Sequence, residues 1–362
     1  MYRASPFLIS FTLLLSLPLL YLLAPRVFPP LFPLPDTISP DDELDDLSLL
    51  RRASISSTAS RLSSSSPHPS FKIAFLFLTH TDLHFSPLWH RFFRNHRHRS
   101  LFNIYVHADP SANISTPSPG SVFHGRFIHS KRTYRASPTL IAATRRLLAT
   151  ALLDDPANAY FTVLSQYCIP LHSFNYVYRS LFTSLTFDHS AAAYSTQYGV
   201  RLQYRSYIEV LNKSSSLWKR YTARGRYSMI PEVPFEKFRV GSQFFSLTRG
   251  HALAVVRDRS LWKKFKLPCY SEESCYPEEH YFPTLLSMKD PRGLTHYTLT
   301  AVNWTGTVKG HPHTYTPSEI SPQLIERLRA SNHSESHLFA RKFSPDCLEP
   351  LMKIASKAIF QD

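Results

Sequence analysis

Cysteine is scarce in this chain, and the patterns that would mark a cysteine-based metal site are missing. The 362 residues contain four cysteines and no C-x-x-C pair, and the spacing of histidine and cysteine does not suggest zinc. Cys269 and Cys275 are near enough in sequence to close a short loop, but free buried thiols fit the pattern equally well. The even number of cysteines is compatible with an oxidising compartment.

Acidic residues are also few. The chain has 26 aspartates and glutamates against 41 lysines and arginines, which gives a formal net charge of +15. Residues 1–50 carry more acidic than basic residues, so the positive charge belongs to the rest of the chain. A body this basic indicates an anionic ligand, an anionic membrane surface or nucleic acid.

A long apolar run lies near the N-terminus. Phe7 to Ala24 contains no charged residue and is near the lower limit for a membrane-spanning helix. Arg3 precedes the run and an acidic segment follows it, which predicts a cytosolic N-terminus and a lumenal body. A cleaved signal peptide is the alternative, but Pro25 directly after Ala24 disfavours cleavage there. We predict a cytosolic end (residues 1–6) and a single-pass signal-anchor helix (residues 7–24).

Glycosylation triplets also indicate a lumenal domain. A domain in the secretory lumen does not meet DNA, so we expect no nucleic-acid partner, and nucleotide-sugars, acidic glycans and lipid headgroups remain. The predicted acceptors are Asn113, Asn212, Asn303 and Asn332.

The segment from residue 25 to residue 70 shows no periodic apolar pattern. It contains a proline cluster, an acidic run and a serine tract, a composition that cannot bury a core. We therefore predict a disordered stem over residues 25–70, which tethers a folded catalytic domain over residues 71–362.

Apolar runs of strand length alternate with helical patterns in the folded domain. This alternation predicts an α/β fold in which helices flank a mostly parallel sheet, with ligands beyond the carboxyl ends of the strands. The expected strands are Phe71–Thr79, Leu101–His107, Tyr160–Ser165 and Gly241–Thr248, and the clearest helix is Ser137–Leu153.

Transfer of a sugar from a nucleotide-sugar needs a base for the acceptor hydroxyl and positive charge for the leaving diphosphate. The folded domain contains no D-x-D motif that would hold a metal, so basic side chains must neutralise the diphosphate. Arg341 and Lys342 are the obvious source, and Glu279 is the candidate base. Pro277-Glu278-Glu279 is equally typical of an ordinary helix start.

A basic and aromatic patch at residues 219–227 has the composition of a sugar-binding surface, although a solvated loop fits it as well. Our candidates for contact with an acceptor are Arg224 and Arg226 from this patch, together with Glu278 and Trp304.

Several segments, taken in order, resemble the plant branch of the core-2/I-branching β-1,6-N-acetylglucosaminyltransferase-like family, glycosyltransferase family 14. The resemblance runs from about Phe71 to Leu351. It is carried by Phe75–Thr79, Ile104–Asp109, Arg146–Asp154, Val163–Leu171, Gly241–Phe245, Pro277–Thr284 and Leu338–Phe343.

The resemblance implies a GT-A-like fold and inverting, metal-independent transfer of a sugar, expected to be N-acetylglucosamine, from a UDP-sugar to a glycan or glycoprotein. It implies no cofactor, and the cytosolic end, anchor and stem match the family's layout of a type II Golgi membrane protein. By motif, Glu279 takes the position of the catalytic base and Lys342 that of the lysine on the donor diphosphate. Further donor contacts are expected at Thr79, His80, Asp109, Ser137 and Arg341.

The chain departs from the family pattern at two places. A second basic contact to the diphosphate is missing or is replaced by His313, and Arg341 is a possible substitute. Arg135 stands where many plant relatives have a Trp-Gly-Ser motif. An arginine at this position would add a phosphate contact or change the choice of donor. The alternative function is therefore a non-catalytic lumenal protein that kept the fold and binds glycans or partner proteins.

Overall fold

The structure, a computed structural model, describes residues 14–18, 38–59, 71–95, 98–183, 204–270, 275–306, 311–333 and 335–362. The chain divides into two units, residues 1–37 and 38–362. In the first unit only residues 14–18 are described, and they are helical, so the predicted cytosolic end and most of the predicted anchor lie outside the described residues. In the part that the structure describes, no helix is both long enough and apolar enough to span a bilayer.

The second unit is built on a mixed six-stranded sheet. Its first strand, Lys72–Thr79, is buried almost throughout, as its continuous apolar sequence predicts. The strand order is β2-β1-β3-β6-β5-β7, and three of the five neighbouring pairs are parallel. The strands are β1 (Lys72–Thr79), β2 (Phe102–Ala108), β3 (Asn158–Ser165), β5 (Ser206–Glu209), β6 (Ser246–Thr248) and β7 (Leu294–His296).

A second, small sheet packs beside the first. It contains β4 (Ile169–Pro170), β8 (Thr300–Val302) and β9 (Phe339–Arg341), in the order β4-β9-β8. Because β4 follows β3 closely, this sheet brings the C-terminal segment with Arg341 and Lys342 to the end of the large sheet where β1, β2 and β3 finish.

Helices cover both faces of the large sheet, so the predicted α/β architecture is confirmed. Alternate residues of β1 point into two cores: Ala74 and Leu76 join one, and Phe75 and Phe77 join the other. The α-helices are α1 (Pro40–Ala59), α2 (Ser86–Phe93), α3 (Pro138–Asp154), α4 (Phe174–Thr183), α5 (Leu217–Tyr221), α6 (Arg249–Arg257), α7 (Ser260–Phe265), α8 (Glu278–Lys289), α9 (Pro322–Arg329) and α10 (Leu348–Ile354).

Helix α1 corrects the prediction of a disordered stem for residues 40–59. The helix packs on α3 and α6, and it buries Leu50 and Ala53 in the core. The acidic residues of its first turn favour the positive end of the helix dipole, and Asp45 and Asp46, which lie further along the helix, form ion pairs with the buried Arg146 of α3. The sequence suggested disorder because these partners lie about a hundred residues away along the chain.

Candidate active site

Glu279 lies in the first turn of α8, where the sequence placed a helix start. Pro277 is the N-cap residue, and the acidic side chains of the first turn favour the helix dipole. The backbone amide of Gly241 donates to the carbonyl of Glu279 over 2.8 Å. A Cβ atom at position 241 would lie 2.0 Å from the carbonyl oxygen of Glu209, so only glycine allows this close approach. The two readings of Pro277-Glu278-Glu279 are therefore compatible, since one glutamate of an ordinary helix start faces a large cavity.

That cavity has a volume of about 800 Å³. Its walls come from the end of β5, the segment around Gly241, the start of α8 and the small sheet. The charged and aromatic residues that line it include Glu209, Arg220, Glu279, Trp304 and Arg341. The space is large enough for several sugar rings, and Glu279, a candidate base, shares it with the cations Arg220 and Arg341.

Arg220 holds the Glu279 carboxylate in place. One of its terminal nitrogens donates to Oε2 of Glu279 over 2.5 Å, and its guanidinium lies 5.0 Å from the centre of the Tyr276 ring. Oε1 of Glu279 has no partner among the described residues and is the oxygen left for a substrate hydroxyl. The sequence analysis did not single out Arg220, although the residue belongs to the basic patch at 219–227.

Arg341 and Lys342 bring positive charge to the cavity and its edge. Arg341 is partly buried and lies 4.1 Å over the Phe244 ring, and its buried Nε has no hydrogen-bond partner among the described residues. Burial lowers the pKa of Arg341, an effect that the charge of Glu279 opposes. Lys342 lies over the Tyr167 ring, and burial together with the neighbouring Arg341 and Arg135 lowers its pKa. Both cations are thus held without a carboxylate partner in the described chain.

Two further basic residues join this group. Arg135 donates to Nε2 of His311 over 2.7 Å, which closes a contact between the turn before α3 and the segment that follows β8. Burial and the charges of Arg135, Lys342 and Arg341 lower the pKa of His311. The ring of His313 contacts Glu319 over 2.7 Å instead. His311 is thus the histidine with an observed contact to this group, while the suggestion that His313 replaces a missing arginine stays a prediction.

The remaining donor-site candidates lie at the ends of β1 and β2 and at the start of α3. Thr79 is the last residue of β1, and its carbonyl accepts from the amide of Asp109. His80 follows it and contacts the Gln166 side chain over 3.0 Å. Ser137 caps α3 by accepting from the amide of Thr139. The topology brings these residues together, while their contacts to a nucleotide stay predictions.

Asp109 is more fully engaged than the sequence suggested. Its two oxygens accept four hydrogen bonds, two from Ser111 and two from Thr133. Burial would raise the pKa of Asp109, but these hydrogen bonds outweigh it and hold the pKa below its ordinary value. A carboxylate offers about four acceptor positions, so a ribose hydroxyl would have to displace one of these donors.

The acceptor candidates separate into three groups. Trp304 lines the cavity and is 53% exposed, so it is open to a sugar ring. Arg226 is exposed but does not line the cavity. Arg224 and Glu278 are only 2% and 4% exposed, which corrects their assignment, because neither can be reached by an acceptor.

Glu209 is a cavity residue that the sequence analysis missed. It lies at the end of β5, and burial together with the charge of Glu279 raises its pKa. The cavity therefore has two carboxylates with different surroundings. Nothing in the local sequence marks Glu209, since its position depends on the pairing of β5 with β6 and β7.

Cys269 and Cys275 form a disulfide, which settles the two readings of that pair. Cys168 and Cys347 are free and buried. No group of three or more His, Cys, Asp or Glu residues that could hold a metal ion is found within the described ranges.

Comparison with known proteins identifies the class of this enzyme. A family model described as "Branch: Core-2/I-Branching enzyme" matches residues 73–329, and the chain belongs to this family. The protein "Glycosyltransferase BC10" from Oryza sativa subsp. japonica is 28% identical over 295 residues, which covers 73% of this chain and 67% of that protein. The predicted class, a glycosyltransferase, is thereby confirmed.

Proposed function

We propose that the chain is an inverting glycosyltransferase with a GT-A-like fold that transfers N-acetylglucosamine from its UDP-sugar to a hydroxyl of a glycan or glycoprotein. The observation that carries the proposal is the shared cavity of Glu279 and Arg341, with Lys342 directly beside them. This arrangement offers a base and a cationic site for a leaving diphosphate within one space. Family membership and the relative named above agree with it.

The chemistry follows from the positions of these groups. Glu279 accepts the proton of the acceptor hydroxyl through Oε1 while Arg220 holds Oε2. The acceptor oxygen forms a bond to C1 of the donor sugar, and the bond from C1 to the diphosphate oxygen breaks with its electron pair. The negative charge that develops on the diphosphate is stabilised by the cations, which makes metal-independent transfer our proposal. The products are the extended glycan and UDP.

Binding of UDP and turnover of the donor test this proposal together. We expect UDP to raise the melting temperature of the full-length protein in EDTA, because a ligand that binds only the folded state stabilises it. Lys342→Ala should weaken UDP binding. Glu279→Gln should leave UDP binding unchanged and lower transfer from UDP-N-acetylglucosamine about 10²- to 10⁴-fold. Hydrolysis of the donor is the readout, because it can be measured without an acceptor.

Glu236→Gln is the matched control, because this glutamate is exposed and does not line the cavity. If Glu279→Gln turns over the donor at the wild-type rate, Glu279 is not the base. If UDP raises the melting temperature only when manganese is present, the reaction is not metal-independent. A protein that UDP does not stabilise under either condition would favour the non-catalytic, glycan-binding alternative.

We also propose that the domain is lumenal and that residues 7–24 anchor it in the Golgi membrane. The apolar run, the disulfide between Cys269 and Cys275, and the exposed Asn113, Asn212 and Asn332 support this proposal. Asn303 is different, since it is half-buried and lines the cavity, so that a glycan on it would occupy that space. Glycosidase treatment of the protein from plant microsomes should increase its gel mobility. A triple asparagine-to-glutamine variant at the three exposed positions should lose this shift, and a wild-type protein whose mobility does not change on treatment would count against the lumenal assignment.

A further inference from the structure

Arg135 and His311 form a contact that the family pattern did not lead us to expect. Arg135 lies in the turn before α3, and His311 lies far along the chain in the segment after β8. The 2.7 Å distance between Nη1 of Arg135 and Nε2 of His311 is that of a strong hydrogen bond. Both side chains are exposed, so a ligand in the solvent can reach them.

The chemistry of this contact fixes the protonation state of His311. A guanidinium has only donors, so Nε2 of His311 must be the acceptor. The imidazole is therefore neutral in the ligand-free protein and carries its proton on Nδ1. The charges around the ring agree with this state, because Arg135, Arg341 and Lys342 are all cations.

The group lacks compensating negative charge. No carboxylate of the described chain forms an ion pair with Arg135, His311, Arg341 or Lys342. Glu279 is paired with Arg220 and acts on Arg341 only at a distance, while Glu278, which interacts with Arg135, is buried and has a raised pKa. The Tyr276 ring lies under Arg135, with 5.8 Å between the guanidinium carbon and the ring centre. Cations that are held together without a counter-charge attract a polyanion.

We propose that Arg135 and His311 together bind the diphosphate of the donor, and that His311 takes up a proton when the diphosphate arrives. This inference rests on the proposed function, because it assigns two more donor contacts to the same site. A phosphate oxygen is a better partner for Arg135 than a neutral imidazole is. Once Arg135 turns to the phosphate, Nε2 of His311 is released, and the diphosphate charge favours its protonation.

The consequence is a donor affinity that depends on pH. Below the pKa of the ligand-bound imidazole, His311 is protonated in the complex and donates to the diphosphate. As the pH rises through that pKa, the proton and its contribution are lost, and UDP binds more weakly. The groups that face His311 are the cations Arg135, Arg341 and Lys342, whose charges oppose its protonation before the diphosphate arrives.

Isothermal titration calorimetry of the full-length protein with UDP tests the inference. Titrations at about pH 7 in two buffers of different ionisation enthalpy measure the protons taken up on binding. His311→Gln keeps a hydrogen-bonding side chain that cannot be protonated, and Arg135→Gln removes the guanidinium. We expect each variant to bind UDP about tenfold or more weakly, the size expected for a lost hydrogen bond to a charged group.

His311→Gln should also take up fewer protons than the wild type, and its affinity should approach the wild-type value as the pH rises. The terminal phosphate of UDP itself titrates at pH ~6 and contributes to the pH dependence in both proteins. The difference in proton uptake and affinity between the wild type and His311→Gln is therefore the quantity that reports on His311. Arg132→Gln and His90→Gln are the matched controls, since both residues are exposed and neither contacts the cationic group. Both should behave like the wild type.

Three results would overturn the inference. If both variants bind UDP and take up protons like the wild type, Arg135 and His311 do not contact the diphosphate, while the proposed function stands. If the variants only lower the melting temperature without UDP and leave the affinity unchanged, the contact merely joins two loops. If the wild-type protein does not bind UDP at all, the proposed donor and this inference fall together.

Discussion

Glu278 should make the stability of this protein fall between about pH 6.5 and pH 8. The residue is 4% exposed, and its Oε2 has no hydrogen-bond partner among the described residues. Burial raises the pKa of Glu278 to about 8, and the negative charge of the neighbouring Glu279 adds to this effect. The folded protein therefore keeps a proton that the unfolded chain has already released, and this part of the stability is lost as the pH rises.

Buried histidines have the opposite effect and determine where the fall begins. Burial lowers the pKa of His280 to about 3 and that of His107 to about 4. Below their ordinary pKa near ~6.5, the unfolded chain binds protons on these residues that the folded protein does not, so stability increases with pH up to that value. Above it only Glu278 of these three groups still changes stability, and the free energy of unfolding should fall by about 2 kcal/mol up to pH ~8.

Urea unfolding of the full-length protein at several pH values measures this profile. Glu278→Gln keeps the shape of the side chain but removes its titration, so its free energy of unfolding should be flat over the range in which the wild type falls. Glu326→Gln is the control, because this glutamate is exposed. A Glu278→Gln protein that loses stability as the wild type does would refute the assignment of the pH dependence to this carboxyl.

Three further predictions concern the packing of α1 and the cavity. Arg146→Met should lower the free energy of unfolding in urea by about 3 kcal/mol, because it leaves the half-buried Asp46 with only Lys131, at 3.8 Å, as a cationic partner, and an unchanged stability would contradict the role given to α1. Arg220→Met should lower kcat about 10- to 100-fold by releasing the Glu279 carboxylate, and unchanged kcat would show that no such positioning is needed. Trp304→Ala should raise the KM for the acceptor about tenfold and leave UDP affinity unchanged, while an equal loss of UDP affinity would place Trp304 on the donor side.

The sequence predicted those parts of the fold that depend on local pattern. β1 was recognisable because a strand buried on both faces reads as a continuous apolar run, and α3 was recognisable from its periodicity and from Ser137 at its start. β6 is shorter than the predicted Gly241–Thr248 and begins at Ser246. The backbone at Gly241 packs closely on Glu209 and donates to the carbonyl of Glu279 in α8 instead of continuing the strand.

Elements whose stability comes from distant partners were not predictable in this way. Helix α1 has an acidic, serine-rich sequence that is typical of a linker, and its apolar side is narrow. It folds because Leu50 and Ala53 find a core on α3 and α6, and because the buried Arg146 needs anionic partners. None of these interactions is visible in a window of neighbouring residues.

The basic patch at 219–227 shows why composition alone did not assign the acceptor side. Neighbouring arginines of the patch have opposite surroundings: Arg220 reaches Glu279, Arg224 is buried 5.1 Å from the Phe265 ring, and Arg226 is exposed. The 3₁₀ turn at Thr222–Arg224 directs them apart, and its Ala223 packs against the disulfide of Cys269 and Cys275, which lie far along the chain. A pattern of residue types indicated the correct region but could not separate these three roles.

On the donor side, too, two histidines that lie only two residues apart have different surroundings. His311 and His313 stand in one short segment, and motif position favoured His313 as the replacement for an arginine. In the structure the backbone amide of His313 donates to the carbonyl of Asn303, and its ring contacts Glu319, so this histidine is occupied. His311 reaches Arg135 instead, which is the residue that departs from the plant pattern. The two places where the chain departs from the family pattern, Arg135 and the segment that holds both histidines, therefore meet in space.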